Sequence, residues 1–537
     1  MSLSHRREIK GRTFRWHWLE RAHSLYSAGG FSICARRIRS AAHWDRANPD
    51  SLHFFGASLV RRGAIGAGIF MLAKARDLAP HNITIWIDHA QALGIAGRLD
   101  DGIRLLQEGG ERYPDDPDLV VKLGEFYSDA GRFEDALRVL SAGVSRFPRN
   151  VSLHVLLAAE YAACLKTKEA LIALIQARAL SPKNSNILVN IGVLYQAIGD
   201  IDMAIAHYRQ ALALDPERRL ARPNLATALL TRFEFEAGFA EFESRFAEPH
   251  IRKPETGLPR WQGEGLTGRR LLVTAEQGYG DMLQFARFVP PLSALGADIT
   301  LECQPGLERL FAALPGVDRV ITIGQAFPDA DVTIPLLSLP FLRGCSIDQL
   351  AASIPYLDVP SGTRLDIPDD GLLKVGLVWA GRPASGEVYL RRSLNRRSCP
   401  LATLAPLMAV PSVRFYGLQV GEPVSEISSS GLPIVDLSKQ IGDFADTAAV
   451  IAGMDLVISI DTATAHLAGG MGAPLWVLLS PGQVDYRWGT GNVTPWYPHA
   501  RLFRADRSGW TAIVERMAAE LGRMAKYHAR QRLSPSP

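Results

Sequence analysis

The sequence predicts an α-helical repeat solenoid followed by an α/β part that contains two parallel-sheet units. Three observations predict this arrangement. Prolines recur every 34 residues through the first half of the chain, at Pro80, Pro114, Pro148, Pro182 and Pro216. In the second half, short apolar runs typical of buried strands alternate with helical segments. Two of these runs lead into polar loops, after Thr274 and after Ile460, where open parallel sheets bind their ligands.

The repeat is defined by more than its prolines. Tyrosines at 127, 161 and 195 and alanines at 136, 170 and 204 keep the same register. Glycines at 97, 131 and 199 turn the chain between two helices, and Leu165 stands at this turn in one unit. Because one helical pair cannot bury its apolar face alone, neighbouring pairs are expected to stack.

This spacing and residue set resembles the tetratricopeptide repeat (TPR) family over residues 49–248. The register degrades at both ends, so residues 1–48 are expected to form degenerate helices and residues 221–246 a last repeat. The resemblance implies that the solenoid binds a protein or peptide partner. The alternative is that the repeats only hold the rest of the chain or form a dimer.

Composition excludes several classes of protein. The chain has 59 basic and 55 acidic residues, so its net charge of +4 does not point to nucleic acid. No run of about 18 apolar residues and no signal-peptide core is present, which predicts a cytoplasmic protein.

The basic N-terminus, with Trp16 and Trp18, is interpreted as a solvated helix face, and the alternative is peripheral contact with the inner membrane. The five cysteines have no CxxC spacing, so no structural zinc site is expected.

Changes in periodicity divide the remaining chain. A Pro-rich linker is predicted at 249–260, a first α/β domain at 261–366, a second at 372–525 and a disordered tail at 526–537. An amphipathic closing helix is expected at 508–521.

The loop after the first strand carries glycines without a complete nucleotide fingerprint. Gly278 and Gly280 begin like GxGxxG, but Leu283 stands where the last glycine belongs. The loop also lacks the GxxxxGK[ST] sequence of a P-loop. Dinucleotide binding and P-loop phosphate transfer are therefore disfavoured.

The loop after the strand at 456–460 suits a phosphate ligand. Asp461 is positioned to cap a helix that begins at Thr462, whose free N–H groups would face a diphosphate. His466 lies one turn further on, on about the same face as Thr462. The alternatives are that Asp461 is only an N-cap and that His466 is a core histidine.

These residues also carry a resemblance. The segment DTATAHLAGGMGAPLWVLLSP from Asp461, together with GYGDMLQFARFVPPL from Gly278 and GLVWAG from Gly376, resembles the heptosyltransferase-like glycosyltransferases of family 9. The resemblance covers about residues 261–525. It implies the GT-B fold, in which two Rossmann-like domains face each other. It further implies inverting transfer from a nucleotide-diphosphate sugar, which is a substrate, without a bound metal or cofactor.

The resemblance also assigns roles to residues. Asp281 would be the catalytic base and Asp461 would hold the donor sugar. The diphosphate would be lined by Thr462, Ala463 and His466. Trp379 and Gly381, at the end of GLVWAG, would lie on the donor side, and Gly278 and Gly280 in the acceptor loop.

The sequence contains further candidate residues. Arg397, in a segment with Arg391, Arg392 and Arg396, best matches the family's cationic position, and the alternative is a solvated basic loop. Trp379, Trp476, Trp488 and Trp496 offer faces for a base or sugar, although core packing is expected for most of them. Asp329 and Asp331 match a DxD metal motif but are read as structural.

The expected function is transfer of a sugar to a glycan, lipid-linked saccharide or protein, in surface polysaccharide assembly by family analogy. TPRs joined to a GT-B unit also resemble the protein O-linked N-acetylglucosamine transferases, which implies a polypeptide acceptor. The alternative of another class is a non-catalytic TPR adaptor with a degenerate transferase module.

Overall fold

The computed structural model describes residues 48–218, 220–247, 251–365, 367–381, 397–481, 485–506 and 509–533. The degenerate helices predicted before residue 48, the arginines at 391, 392 and 396, and residues 534–537 lie outside this part of the chain. The chain forms two compact units, which divide between Pro182 and Lys183. The division falls inside the repeats, so the last repeats belong to the same unit as the α/β part.

The first unit consists of antiparallel helical pairs. Its helices are α1 (Pro49–Arg61), α2 (Ile65–Leu78), α3 (Ile83–Ile95), α4 (Leu99–Arg112), α5 (Pro117–Asp129), α6 (Phe133–Arg146), α7 (Val151–Ala163) and α8 (Thr167–Leu180). The second unit begins with two further helical pairs, α9 (Ser185–Ala197) with α10 (Ile201–Leu214) and α11 (Ala221–Thr231) with α12 (Phe235–Phe242), followed by a 3₁₀ turn at Glu243–Ala247. The predicted helical solenoid is confirmed.

The turn inside each helical pair requires a left-handed backbone. Glycine supplies it at Gly97 and Gly131, with φ of 75° and 74°. Leu165 and Phe233 adopt the same conformation at φ of 59° and 62°. A side chain at such a position costs about 1–2 kcal/mol, which packing elsewhere must offset.

The α/β part contains two parallel sheets. The first has the order β3-β2-β1-β4, and the second has the order β10-β9-β8-β5-β6-β7. The strands of the first sheet are β1 (Arg270–Thr274), β2 (Asp298–Cys303), β3 (Arg319–Thr322) and β4 (Val332–Pro335). Those of the second are β5 (Leu373–Val378), β6 (Val413–Gly417), β7 (Ile434–Asp436), β8 (Leu456–Ile460), β9 (Leu475–Leu479) and β10 (Ala500–Arg504). The predicted parallel-sheet α/β region is confirmed.

Helices connect the strands of both sheets. Around the first sheet they are α13 (Tyr279–Phe285), α14 (Pro290–Ser293), α15 (Glu308–Ala312), α16 (Leu339–Arg343) and α17 (Ile347–Ala352). Around the second they are α18 (Ala405–Met408), α19 (Ser425–Ser430), α20 (Phe444–Ala452), α21 (Ala463–Gly470) and α22 (Thr511–Leu533).

The segment predicted as a linker is anchored to the first sheet. Arg252 donates to both carboxylate oxygens of Glu302, at 2.6 and 2.7 Å. Beyond it, the Trp261 N–H donates to the Thr333 carbonyl, and the Trp261 side chain is buried. An anchored segment of this kind is not a free spacer.

The last repeat is joined to the same sheet by a buried ion pair. Arg245, in the 3₁₀ turn after α12, donates to Glu276 at 2.8 and 2.9 Å and to Ser338 at 2.7 Å. Glu276 follows β1 and also accepts a hydrogen bond from the Leu337 N–H. The loop that carries Glu276 and the end of the solenoid are therefore held together.

The prediction for the C-terminal segment is wrong. The closing helix extends from Thr511 to Leu533, well past residue 521, so residues 526–533 are not a disordered tail. No proline interrupts this stretch, which is rich in helix-forming Ala, Arg, Met and Lys. Ala525 is buried, and Arg532 pairs with Asp369 at 2.8 Å.

Candidate functional site

The two loops singled out in the sequence come together in the second unit. Helix α13 begins after β1, and α21 begins after β8 of the other sheet. The two helices pack directly at Gly280, where an added Cβ would lie 2.8 Å from His466 Cδ2. Gly280 therefore permits the close approach of two helices. Gly278 precedes α13 with an ordinary φ of −77°.

Asp281 lies in the first turn of α13, and both of its carboxylate oxygens are bonded. Oδ2 accepts a hydrogen bond from the Gly278 N–H at 2.9 Å. Oδ1 accepts one from the Arg487 guanidinium. The side chain remains 18% exposed, so its orientation is fixed while a solvent-accessible edge is retained.

Arg487 is a site residue that sequence reasoning missed. It lies in the 3₁₀ turn Tyr486–Trp488, is 5% exposed and uses all three guanidinium nitrogens. It donates to Asp281 and Gln284 of α13, and to Asp485 at 2.7 Å. Only Asp485, two residues away, could have signalled a charged site, because the partners on α13 are about 200 residues distant in sequence.

Asp461 does not cap the helix that follows it, so its interpretation as an N-cap is wrong. Helix α21 begins at Ala463, Thr462 is the N-cap residue, and no side chain caps the helix. The Asp461 carboxylate instead accepts a hydrogen bond from Trp488 Nε1 at 2.8 Å and lies 3.6 Å from Arg397 Nη1. The carboxylate that was expected to cap the helix is thus bound by the buried side chain of Trp488 instead.

The electrostatics of Asp461 are set by its surroundings. Burial, together with the nearby charge of Asp485, raises the pKa of Asp461 above its usual value. Burial is the largest effect on Asp485 and acts to raise its pKa, but the charge of Arg487, the hydrogen bond from the Arg487 backbone N–H and the charge of Arg397 act together with His466 to lower the pKa overall. The two acids therefore differ in their affinity for a proton, as acids in functional sites often do.

His466, in helix α21, is buried. Its Nδ1 lies 3.0 Å from the Tyr497 hydroxyl, and its ring stacks on Trp488 at 5.2 Å between centroids. Burial and the charge of Arg487 lower the pKa of His466 to about 3, so the ring is neutral near pH 7. This placement agrees with the core-histidine alternative.

The start of α21 offers backbone donors. Thr462 and Ala463 are both partly exposed, and the Thr462 hydroxyl lies 2.9 Å from the Ser459 hydroxyl. With no capping side chain, N–H groups of the first turn can donate hydrogen bonds to an anion.

The remaining predicted donor residues lie at the end of β5. Trp379 is 0% exposed, which leaves no ring face for a ligand, so a stacking role for this ring is not supported. Gly381 is partly exposed, and its N–H donates to the Ser398 hydroxyl at 3.2 Å. Trp476, Trp488 and Trp496 are also buried, as expected for core packing.

The DxD sequence contributes to the fold. Asp331 forms an ion pair with Arg270 at 3.0 Å, and this hydrogen bonding lowers the pKa of Asp331 to about 2. Among the described residues, no group of three or more His, Cys, Asp or Glu is placed to hold a metal ion. Within the same part of the chain, no helix is long and apolar enough to cross a membrane.

Chemically, the site combines three carboxylates with two guanidinium groups. Asp281 and Asp461 retain partial exposure, and Arg397 is 41% exposed. Such an arrangement can accept a proton, bind hydroxyl groups and neutralise an anion.

Comparison with known proteins identifies the repeats. A tetratricopeptide repeat model matches residues 95–160, and another matches residues 185–218. The predicted TPR array is therefore confirmed, and the repeats indicate a protein-interaction role. Neither model covers the α/β part.

A curated relative matches more than half of the chain. Protein FlbA of Caulobacter vibrioides is 29% identical over 341 residues, which are 55% of this chain and 54% of FlbA. The chain thus matches about half the length of that relative.

Solved structures share limited similarity. TTC0263, a thermophilic TPR protein in Thermus thermophilus, is 24% identical and covers 34% of this chain and 99% of its own, with a TM-score of 0.30. MamA is 21% identical and covers 29% and 92% at a TM-score of 0.27. Cut9–Hcn1 of the APC/C is 17% identical and covers 42% and 45% at 0.35. At these TM-scores, the solved structures do not indicate a function for this chain.

Proposed function

We propose that the α/β part is an inverting, metal-independent glycosyltransferase of the GT-B type that uses a nucleotide-diphosphate sugar. The observation that carries the proposal is the convergence of Asp281 and Asp461. Each follows a strand of a different parallel sheet, and the adjacent residues Arg487 and Trp488 bind one carboxylate each. Inverting transfer needs one carboxylate at the acceptor and a polar site for the donor.

Asp281 is the proposed general base. Its bonds to the Gly278 N–H and Arg487 fix the carboxylate, and its exposed edge is available to an acceptor hydroxyl. As that hydroxyl attacks the anomeric carbon, Asp281 takes its proton, and the bond to the diphosphate breaks.

Asp461 and the start of α21 form the proposed donor site. Asp461 accepts hydrogen bonds from hydroxyl groups of the sugar, while Arg397 and the N–H groups at Thr462 and Ala463 bind the diphosphate. Arg397 is half-exposed and only 3.6 Å from Asp461, so it can turn toward an incoming anion. His466 supports this site by packing against Trp488.

The solenoid is the proposed binding region for a protein partner or a polypeptide acceptor. A glycan or a lipid-linked saccharide is the other acceptor class. Incubation with a labelled donor and a cell extract distinguishes them, since the label appears either in protein or in saccharide.

Thermal-shift measurements with a panel of nucleoside diphosphates and nucleotide sugars test the function. We expect one diphosphate nucleotide to stabilise the protein, by about 2.7 kcal/mol at a hundred times its Kd. Arg397→Met should weaken this effect, and Asp461→Ala should weaken the stabilisation by the matching nucleotide sugar, because Asp461 is the proposed partner of the sugar. Asp329→Ala, at an exposed acid of the DxD sequence, should leave both unchanged. EDTA should change neither.

A different result would favour the adaptor alternative. If no nucleotide changes the melting temperature at about millimolar concentration, the transferase proposal is wrong. The α/β part would then be a partner-binding module beside the repeats.

A further inference from the structure

Phe233 occupies a repeat position that favours glycine. It lies 34 residues after Gly199, in the turn between α11 and α12, with a φ of 62°. Its equivalents Gly199 and Gly131 have φ of 85° and 74°. A bulky aromatic residue in this conformation is strained, and a strained residue persists only where its surroundings compensate.

The compensation is a contact with the segment that follows the 3₁₀ turn Tyr486–Trp488. A Cβ added at Gly489 would lie 2.6 Å from Phe233 Cζ, so the aromatic ring rests directly on this glycine. Gly489 itself has a φ of 56°. The ring also packs at 6.0 Å from the Phe235 ring, which is part of the core.

The same segment is also held by the last residue of β10. Arg504 donates to the carbonyls of Trp488 and Gly489, at 2.7 and 2.8 Å. The backbone at 488–489 is thus fixed by hydrogen bonds from Arg504 and by the ring of Phe233.

This backbone carries the two side chains that bind the candidate carboxylates. Arg487 donates to Asp281, and Trp488 donates to Asp461 at 2.8 Å. A displacement of the backbone at Gly489 would move both donors together. Phe233 contacts neither carboxylate and acts only through this backbone.

We propose that Phe233 is a positioning residue through which the last repeat of the solenoid holds Arg487 and Trp488 against Asp281 and Asp461. Its consequence for sugar transfer rests on the function proposed above. The repeat array is then part of the site's construction as well as a partner-binding surface.

Hydrogen exchange read by mass spectrometry on the full chain tests this inference without relying on activity. Phe233→Gly removes the ring and suits the left-handed backbone, so we expect the fold to be retained while peptides over residues 485–491 exchange about tenfold faster. Leu165→Gly, at the same repeat position in the first unit, is the matched control and should leave these peptides unchanged. Phe233→Leu should partly restore slow exchange, because it returns an apolar side chain to this position and leucine already adopts the same backbone conformation at Leu165.

A second measurement connects the residue to function. If the chain transfers sugar, Phe233→Gly should lower kcat about tenfold, with partial recovery in Phe233→Leu and none of this loss in Leu165→Gly. Phe233→Asn provides the same test if the glycine variant does not fold, since asparagine tolerates the left-handed region.

Two results would overturn the inference: wild-type exchange over 485–491 in Phe233→Gly, or equally fast exchange in Leu165→Gly. If wild-type protein binds no nucleotide, the transferase proposal fails separately, and the exchange data still decide the role of Phe233.

Discussion

The indole Nε1 of Trp488 donates a hydrogen bond to Oδ1 of Asp461 over 2.8 Å, and its ring stacks on His466. Asp461 follows β8, whereas Trp488 lies in a 3₁₀ turn beyond β9. The hydrogen-bond donor to Asp461 therefore comes from a separate loop and not from the helix that begins directly after Asp461. The adjacent Arg487 binds Asp281 in the same way, so one short turn organises both acids.

Trp488→Phe should weaken the fold by removing this donor while preserving the aromatic contact with His466. A hydrogen bond to a charged group contributes about 1.5–3 kcal/mol, and we expect a loss of that size in the free energy of unfolding. Urea denaturation measures it. Trp476→Phe is the control for ring size, and an equal loss there would assign the effect to packing.

Gly280→Ala should destabilise the protein because the added Cβ would lie 2.8 Å from His466 Cδ2. Overpacking of this kind costs about 1–3 kcal/mol. Gly278→Ala is the matched control, since its Cβ would meet Asp281 Oδ2 at an ordinary 3.4 Å. The melting temperatures of both variants test this. A lower melting temperature in Gly280→Ala alone would show that Gly280 is needed for close helix packing, whereas equal decreases in both variants would show that the loop only requires backbone flexibility.

His466 should make stability depend on pH. Its pKa is about 3 in the folded protein and about 6.5 when exposed, so the unfolded chain binds a proton that the folded chain does not. The associated stability is fully present above pH 6.5 and is lost as the pH falls toward 3, by up to about 1.4 kcal/mol per pH unit.

Urea denaturation between about pH 7 and pH 4 measures this slope. His466→Gln should flatten it, although the variant is less stable at neutral pH. His81→Gln, at an exposed histidine, should give a curve parallel to the wild type. A wild-type slope in His466→Gln would contradict the prediction.

Arg245→Met should be strongly destabilising. The Arg245 side chain is 4% exposed and that of Glu276 is fully buried, so the variant leaves a buried acid without its cation. Such a loss costs about 3–5 kcal/mol. The double variant Arg245→Met with Glu276→Leu should recover part of it, which denaturation of both variants can measure.

A surface pair provides the comparison. Arg222 and Glu241 lie 3.1 Å apart but are half-exposed, so Arg222→Met should cost less than about 1 kcal/mol. Equal losses at Arg245 and Arg222 would show that the junction between the last repeat and β1 is not held by its buried charge.

Features governed by local sequence were predictable. The 34-residue interval defined the helical pairs, because each turn and helix end depends on residues a few positions apart. Apolar runs located the strands for the same reason, and the loops holding Asp281 and Asp461 follow from the rule that parallel strands present ligands at their carboxyl ends. The helical repeats, the parallel sheets and the two loops were therefore accessible, whereas the role of Asp281 was implied only by the family resemblance.

Features that depend on contacts between distant residues were not predictable from the sequence. The N-cap interpretation of Asp461 was wrong because Trp488, 27 residues further on, supplies its donor. The tail prediction was wrong because α22 continues beyond residue 521 and makes contacts there with distant residues, such as that of Arg532 with Asp369. No local pattern marked Arg487 either.

The sequence by itself determined the repeats, the parallel strands and the positions of Asp281 and Asp461, because each depends on short-range periodicity and backbone preference. Tertiary structure alone decided which groups meet these acids: Arg487 and Trp488 as their donors, and Phe233 as the contact that supports both. These choices depend on the packing of segments far apart in the chain, where shape and burial outweigh any local preference.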